Sequence, residues 1–97
     1  MRIEFLSWLA RHVGTKEINL EAVEGMTIKD LILILKEKFG DKFTKNFLKD
    51  ELNLSNAVLI LINGLHLINF TKDGSDPLSI ILKNSDEVTF VPPLEGG

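Results

Sequence analysis

Polar and apolar residues alternate at the start of the chain. Arg2, Ile3, Glu4 and Phe5 take turns before the run becomes more apolar at Leu6, the period of a strand with one buried face. A strand is expected over Arg2–Leu9, with Leu9–His12 as a short connection. Lys16–Val23 alternates again, Ile18, Leu20 and Ala22 against Glu17, Asn19 and Glu21, so the two runs about Gly14-Thr15 predict a hairpin. The period then changes. Thr27 has the chemistry of a helix N-cap, Asp30 stands at the third helical position, and Met26 is placed to pack on Leu31. A helix from Ile28 to about Phe39 follows, with Ile28, Leu31, Ile32, Leu35 and Phe39 as its inward stripe and Gly40 as a left-handed stop. Leu33 and Ile34 widen the apolar face; packing under a neighbouring loop is the expectation, and a contact surface is the alternative.

Residues 41–57 are harder to place. Phe43, Phe47 and Leu48 have one-turn spacing, which predicts a short helical cover over the core. Val58–Ile62 is a continuous aliphatic run ending at Asn63-Gly64, a strong hairpin signal, and a returning strand is expected from Leu65 to about Phe70. Leu78–Leu82 is apolar but has no clear period. After a turn at Lys83–Asp86, Glu87–Val91 reads as a last strand, which Pro92-Pro93 must end because two prolines remove two ladder donors.

Strand, strand, helix, strand, strand, short element, strand is an order with one long helix, which can cover one face of one sheet. The class is therefore α+β. The arrangement is a β-grasp: a mixed four- to five-stranded sheet packed on one main helix, with the first and last strands parallel and a C-terminal tail extending beyond. Residues 1–91 form the domain and 92–97 the tail. In this register Ile3, Phe5, Ile60, Ile62, Val88 and Phe90 face the helix, leaving Leu6, Leu59, Leu61 and Val91 on the other sheet face. An uncovered sheet face should be polar, so these four are a candidate partner-docking surface.

Composition narrows the chemistry. The 97 residues hold no cysteine, which removes disulfides, thiolate metal sites and any mechanism using the chain's own sulfur. Eleven Lys+Arg against fourteen Asp+Glu give −3, with the signs interspersed along the sequence, so no basic stripe invites nucleic acid. The apolar runs Leu31–Leu35 and Ala57–Ile62 fall far short of the ~20 residues of a membrane helix. The start of the chain lacks a cleavage site after an apolar run, and a cytoplasmic location is expected. His12 and His66 lie on different elements, and Asp73, Asp76 and Asp86 are ordinary turn residues, so no metal site is expected. Trp8 is assigned to packing rather than docking.

Four stretches, FLSWLARHVGT, EGMTIKDLILIL, LINGLHL and LKNSDEVTFVPPLEGG, together resemble the MoaD family of ubiquitin-like sulfur carriers, including the archaeal small modifier proteins, in the family's own order. Asn84-Ser85 departs from the family's usual Asp-Gly, and Val91 replaces a common phenylalanine. The resemblance implies a carrier or cosubstrate rather than an enzyme, with no permanently bound cofactor. Gly97, preceded by Gly96, would be adenylated with MgATP by a ubiquitin-activating-type enzyme of the MoeB/ThiF kind. It would then become a thiocarboxylate that donates sulfur in molybdopterin or tungstopterin synthesis beside a MoaE-like large subunit. The alternatives are conjugation through Gly97 to lysines of target proteins, as a small archaeal modifier, or sulfur transfer for thiamine or tRNA thiolation.

The tail has a physical logic of its own. The six residues after Val91 reach about 20 Å when extended. Pro92 and Pro93 pre-order its base, Leu94 and Glu95 continue it, and Gly96-Gly97 make a tip without Cβ atoms that fits a narrow tunnel.

Overall fold

β1 spans Arg2–Phe5, half the length its alternation predicts. The computed structural model describes residues 1–49 and 58–92. After Phe5 the chain turns at Ser7, whose backbone (φ 56°, ψ −136°) lies in a region that favours glycine, and enters α1, Trp8–Val13. Leu9 and Val13, one turn apart, are both buried and hold this helix on the core, so Leu9–His12 is helical and not a simple connection. Gly14 closes it in the left-handed conformation, its N–H donating to the Ala10 carbonyl at 2.9 Å. The chain returns as β2, Glu17–Asn19, antiparallel to β1 with Ile3 opposite Ile18. The expected hairpin is present as the antiparallel pair β1 and β2, its connection enlarged by α1, and β2 is shorter than Lys16–Val23.

α2 covers Ile28–Phe39 as the periodicity predicts. Thr27 and Asp30 form a reciprocal capping box, Met26 and Leu31 are both buried, and Ile28, Leu31, Ile32 and Leu35 face the core with Phe39 partly buried beside them. Gly40 has positive φ but ψ −133°, so it is no left-handed cap. It redirects the chain straight into α3, Asp41–Phe47. Phe43 and Phe47 of α3 are fully buried, which makes this helix part of the core and not a cover over it. Leu33 and Ile34 remain exposed, against the expectation of packing. Residues 50–57 of the expected cover lie outside the described residues.

β3, Leu59–Ile62, turns at Asn63 (φ 51°) and Gly64 (φ 84°), the two positive values a tight hairpin turn requires, into β4, Leu65–His66. β4 stops where the His66 Nδ1 accepts from the Ile68 N–H at 3.1 Å, and Leu67–Phe70 coils into a 3-10 turn instead of the expected longer strand. The unassigned stretch near Leu78 holds another 3-10 turn, Pro77–Ser79, capped by Asp76. Beyond it Ile81 bridges to Thr27, and the Leu82 N–H reaches the Met26 carbonyl at 2.7 Å, tying this loop to the start of α2.

β5, Glu87–Val91, lies parallel to β1 and antiparallel to β3, giving the order β2-β1-β5-β3-β4 among the described residues. This is the mixed β-grasp sheet. Ile3, Phe5, Ile60, Ile62, Val88 and Phe90 are all buried on the helix side, so the expected register holds. Two short helices, α1 and α3, join the main one. No helix among the described residues is long and apolar enough to cross a membrane.

The turn before β5 is held by side chains. Asp86 Oδ2 accepts from the Lys83 N–H at 2.7 Å, and Asp86 Oδ1 accepts from Asn63 Nδ2 at 2.9 Å. Asn63 Oδ1 in turn accepts from the Glu87 N–H at 2.9 Å, clasping the hairpin to the entrance of β5. Neither Asn84 nor Ser85 has positive φ, so this turn works without glycine. Asn84 Oδ1 accepts instead from the Met1 ammonium at 3.1 Å and the Ala22 N–H at 3.0 Å. Asn63→Ala removes both side-chain bonds and a residue tolerant of positive φ. A loss of about 1–3 kcal/mol is expected, measured by urea unfolding.

Candidate functional site

Two parallel strands place the site. β1 and β5 end side by side, Phe5 opposite Phe90, and the Leu6 N–H donates to the Phe90 carbonyl at 3.0 Å just beyond β1. Val91 and Pro92, both half-buried, are the last described residues. Pro93, Leu94, Glu95, Gly96 and Gly97 lie outside the described residues.

The end of β5 is firmly held. Phe90 stacks on Phe5 at 5.5 Å between ring centroids, and it meets Phe47 edge-on at 5.6 Å and Phe43 at 6.2 Å. Phe39 adds an edge contact to Phe5 at 5.8 Å. These rings come from β1, α2, α3 and β5, so each element meeting at this end contributes to fixing where the strand gives way to the tail. Trp8 packs partly buried against the same core with His12 edge-on to its ring at 5.4 Å, in line with the packing assignment.

The outer sheet face is divided. Leu59 stands opposite Val91, and Leu61 lies between Thr89 and His66 in register; Leu59, Leu61 and Val91 are half-buried. Leu6 lies one residue past β1, in the turn toward α1, and is exposed. The structure thus places Leu59, Leu61 and Val91 on the face away from the helices, with Leu59 and Val91 paired at the end of β5, while Leu6 sits off the sheet in the adjoining turn. The β1–β2 half of that face is charged. Arg2 reaches Glu4 at 3.1 Å, Glu17 at 3.2 Å and Glu87 at 3.3 Å. Glu17 first, then Glu87, raises the Arg2 pKa further above its ordinary value. Such exposed pairs add little to stability singly, but together they gather three carboxylates around one cation beside the apolar half.

Arg2, Glu4 and Glu17 share the outward parity of the two alternating runs, which is the signal in the sequence for this charged half. Among the described residues no group of three His, Asp or Glu gathers to hold a metal. His66 caps a turn and His12 sits on Trp8, on separate elements.

No family model matches the chain, and no curated protein sequence does. Solved structures do. Small archaeal modifier protein 1 from Methanosarcina acetivorans is 30% identical, the match covering 99% of this chain and 94% of that one with a TM-score of 0.72. Small archaeal modifier protein 1 from Haloferax volcanii is 20% identical with a TM-score of 0.77, covering 100% and 98% of the two chains. A Pyrococcus furiosus protein provisionally named a molybdopterin converting factor, subunit 1, is 22% identical with a TM-score of 0.71, covering 96% and 95%.

Proposed function

The chain belongs to the ubiquitin-like family of small archaeal modifiers and MoaD-type sulfur carriers, and from that membership we propose that it acts through its tail, as a protein modifier joined to lysines through Gly97. The likeness to the Methanosarcina modifier over nearly the whole of both chains carries this reading. It is a carrier and not a catalyst. A glycine carboxylate has a pKa of about 3.3–3.7, so it is ionised at neutral pH and a poor electrophile. An adenylating enzyme using MgATP would let this carboxylate attack the α-phosphorus and release pyrophosphate. A lysine amine would then attack the acyl carbon, expelling AMP, losing a proton and leaving an isopeptide bond.

A second reading is favoured by the Pyrococcus neighbour's name: sulfide-level sulfur from a donor would attack the acyl carbon of the same acyl-adenylate and expel AMP, giving a thiocarboxylate for molybdopterin or tungstopterin synthesis beside a MoaE-like subunit. Both outcomes begin with one activated glycine. Intact-mass measurement on protein from its native cells, with a search for tail remnants on lysines of other proteins, separates them. Remnants support the modifier; one oxygen replaced by sulfur, with no remnants, supports the carrier.

The apolar half of the outer face, Leu6, Leu59, Leu61 and Val91, would seat the activating enzyme while the tail enters its active site. Leu61→Asp and Val91→Asp are expected to weaken that binding at least tenfold, while stability changes by only about 1 kcal/mol because both side chains already meet solvent. Calorimetric binding and thermal melts check the two effects separately.

A further inference from the structure

Charges interspersed along the sequence are sorted by the fold. Arg11 and Lys16 flank a notch with Ala10, Gly14 and Thr15, and the Lys16 carbonyl accepts from the Phe5 N–H at 2.8 Å, so both cations stand at the end where the tail departs. Lys38, in the last turn of α2, comes to the same end, since its neighbour Phe39 meets Phe5. Lys45 arrives on α3, whose Phe43 and Phe47 meet Phe90. All four are exposed. Lys36 and Lys42 belong to these helices too; among the described residues Glu37 and Asp41 lie on the same helices, while Glu4 and Glu17, paired across β1 and β2 beside Phe5 and Lys16, are held by Arg2. The opposite end carries Glu21 and Glu24 in the connection before α2, Asp30 in its first turn, and Asp86 and Glu87 where β5 begins, against Arg2, Lys29, Lys83 and the Met1 ammonium. A chain of net charge −3 therefore sends out its tail through a cationic collar.

We propose that this collar docks on an acidic protein surface, the carboxylate-lined rim of whichever site accepts the tail. The inference rests on the reading of the tail above and adds the chemistry of the partner. Any protein that takes up the tail brings its rim within a Debye length of these cations, ~8–10 Å at ordinary salt. With the excess of exposed cations at the tail end, such a rim attracts that end more than the other, which orients the encounter tail first. A nucleic acid is disfavoured as the occupant because the net charge of the chain opposes a long polyanion.

The test uses the full chain with the ubiquitin-activating-type enzyme of the same cells, following adenylation by pyrophosphate exchange at low and high salt. The triple variant Arg11→Glu/Lys16→Glu/Lys45→Glu should raise KM about tenfold at low salt, leave kcat within about twofold and lose the difference at high salt. Glu21→Lys/Glu24→Lys, at the far end, should leave KM within about twofold. A triple variant with unchanged KM, or a far-end variant equally impaired, overturns the collar. Thermal melts establish that both variants fold. Wild-type protein that is never adenylated defeats the reading of the tail instead. The collar is then judged by amide shifts on titration with a decaglutamate peptide and a single-stranded DNA oligonucleotide. Shifts at Arg11, Lys16, Lys38 and Lys45 with the peptide bound more tightly support it; no shifts, far-end shifts or tighter DNA binding overturn it.

Discussion

Phe47→Ala is expected to cost about 3–5 kcal/mol, a large share of the stability of a domain this small. The side chain is fully buried, with its ring centroid 4.7 Å from that of Phe43, 5.8 Å from Phe5 and 5.6 Å from Phe90. Its removal leaves a cavity among rings from three other places in the chain, and rigid aromatics collapse poorly into such a space. Lys45→Ala on the exposed side of the same helix should stay within about 0.5 kcal/mol. Chemical denaturation of both variants decides the matter. A loss near 1 kcal/mol for Phe47→Ala would mean that α3 is a detachable cover after all.

Removing Gly97 should have the opposite profile: activation lost and stability kept. The shortened chain still ends in glycine, but its carboxylate falls short by about 3.3 Å, and a misplacement near 1 Å already costs ~10²-fold in a positioned reaction. Pyrophosphate exchange should therefore drop at least about 10²-fold. The melting midpoint should hold, because the buried core ends at Phe90, with Val91 and Pro92 half-buried after it. Adenylation at wild-type rates would show that the length of the tail does not set its chemistry.

The parts of the fold legible in the sequence are those where several local signals agree. Thr27, Asp30 and the stripe from Ile28 to Leu35 specify α2 by cap and period together, and Asn63-Gly64 specifies its turn by backbone conformation. The register of β1, β3 and β5 follows because one residue of slip would expose every buried aliphatic on them. The misreadings occur where an element is too short to show a period. α1 has only Leu9 and Val13 to declare it, and alternation over Lys16–Val23 conceals that just Glu17–Asn19 pair. β4 is cut short by a side-chain bond from His66 that no periodicity contains. The charge segregation was illegible for a different reason. Lys16 and Glu17 are neighbours in sequence, yet Glu17 turns to Arg2 on the sheet while Lys16 lines the notch beside α1. Of the residues proposed for docking, strand parity gives the sheet face of Leu59, Leu61 and Val91, and the collar requires the fold.

The pairing of β1 with β5 joins Arg2 to Glu87, so the middle of the sheet is built from strands made first and last. During synthesis the earlier strands and α2 must wait with a gap where β5 belongs, because no local contact can close it. A chain broken off before Glu87 lacks both that central strand and the tail, and a chain that carries the tail also carries the strand that completes the fold. On the proposed reading, an unfinished domain therefore has no Gly97 carboxylate to offer for activation.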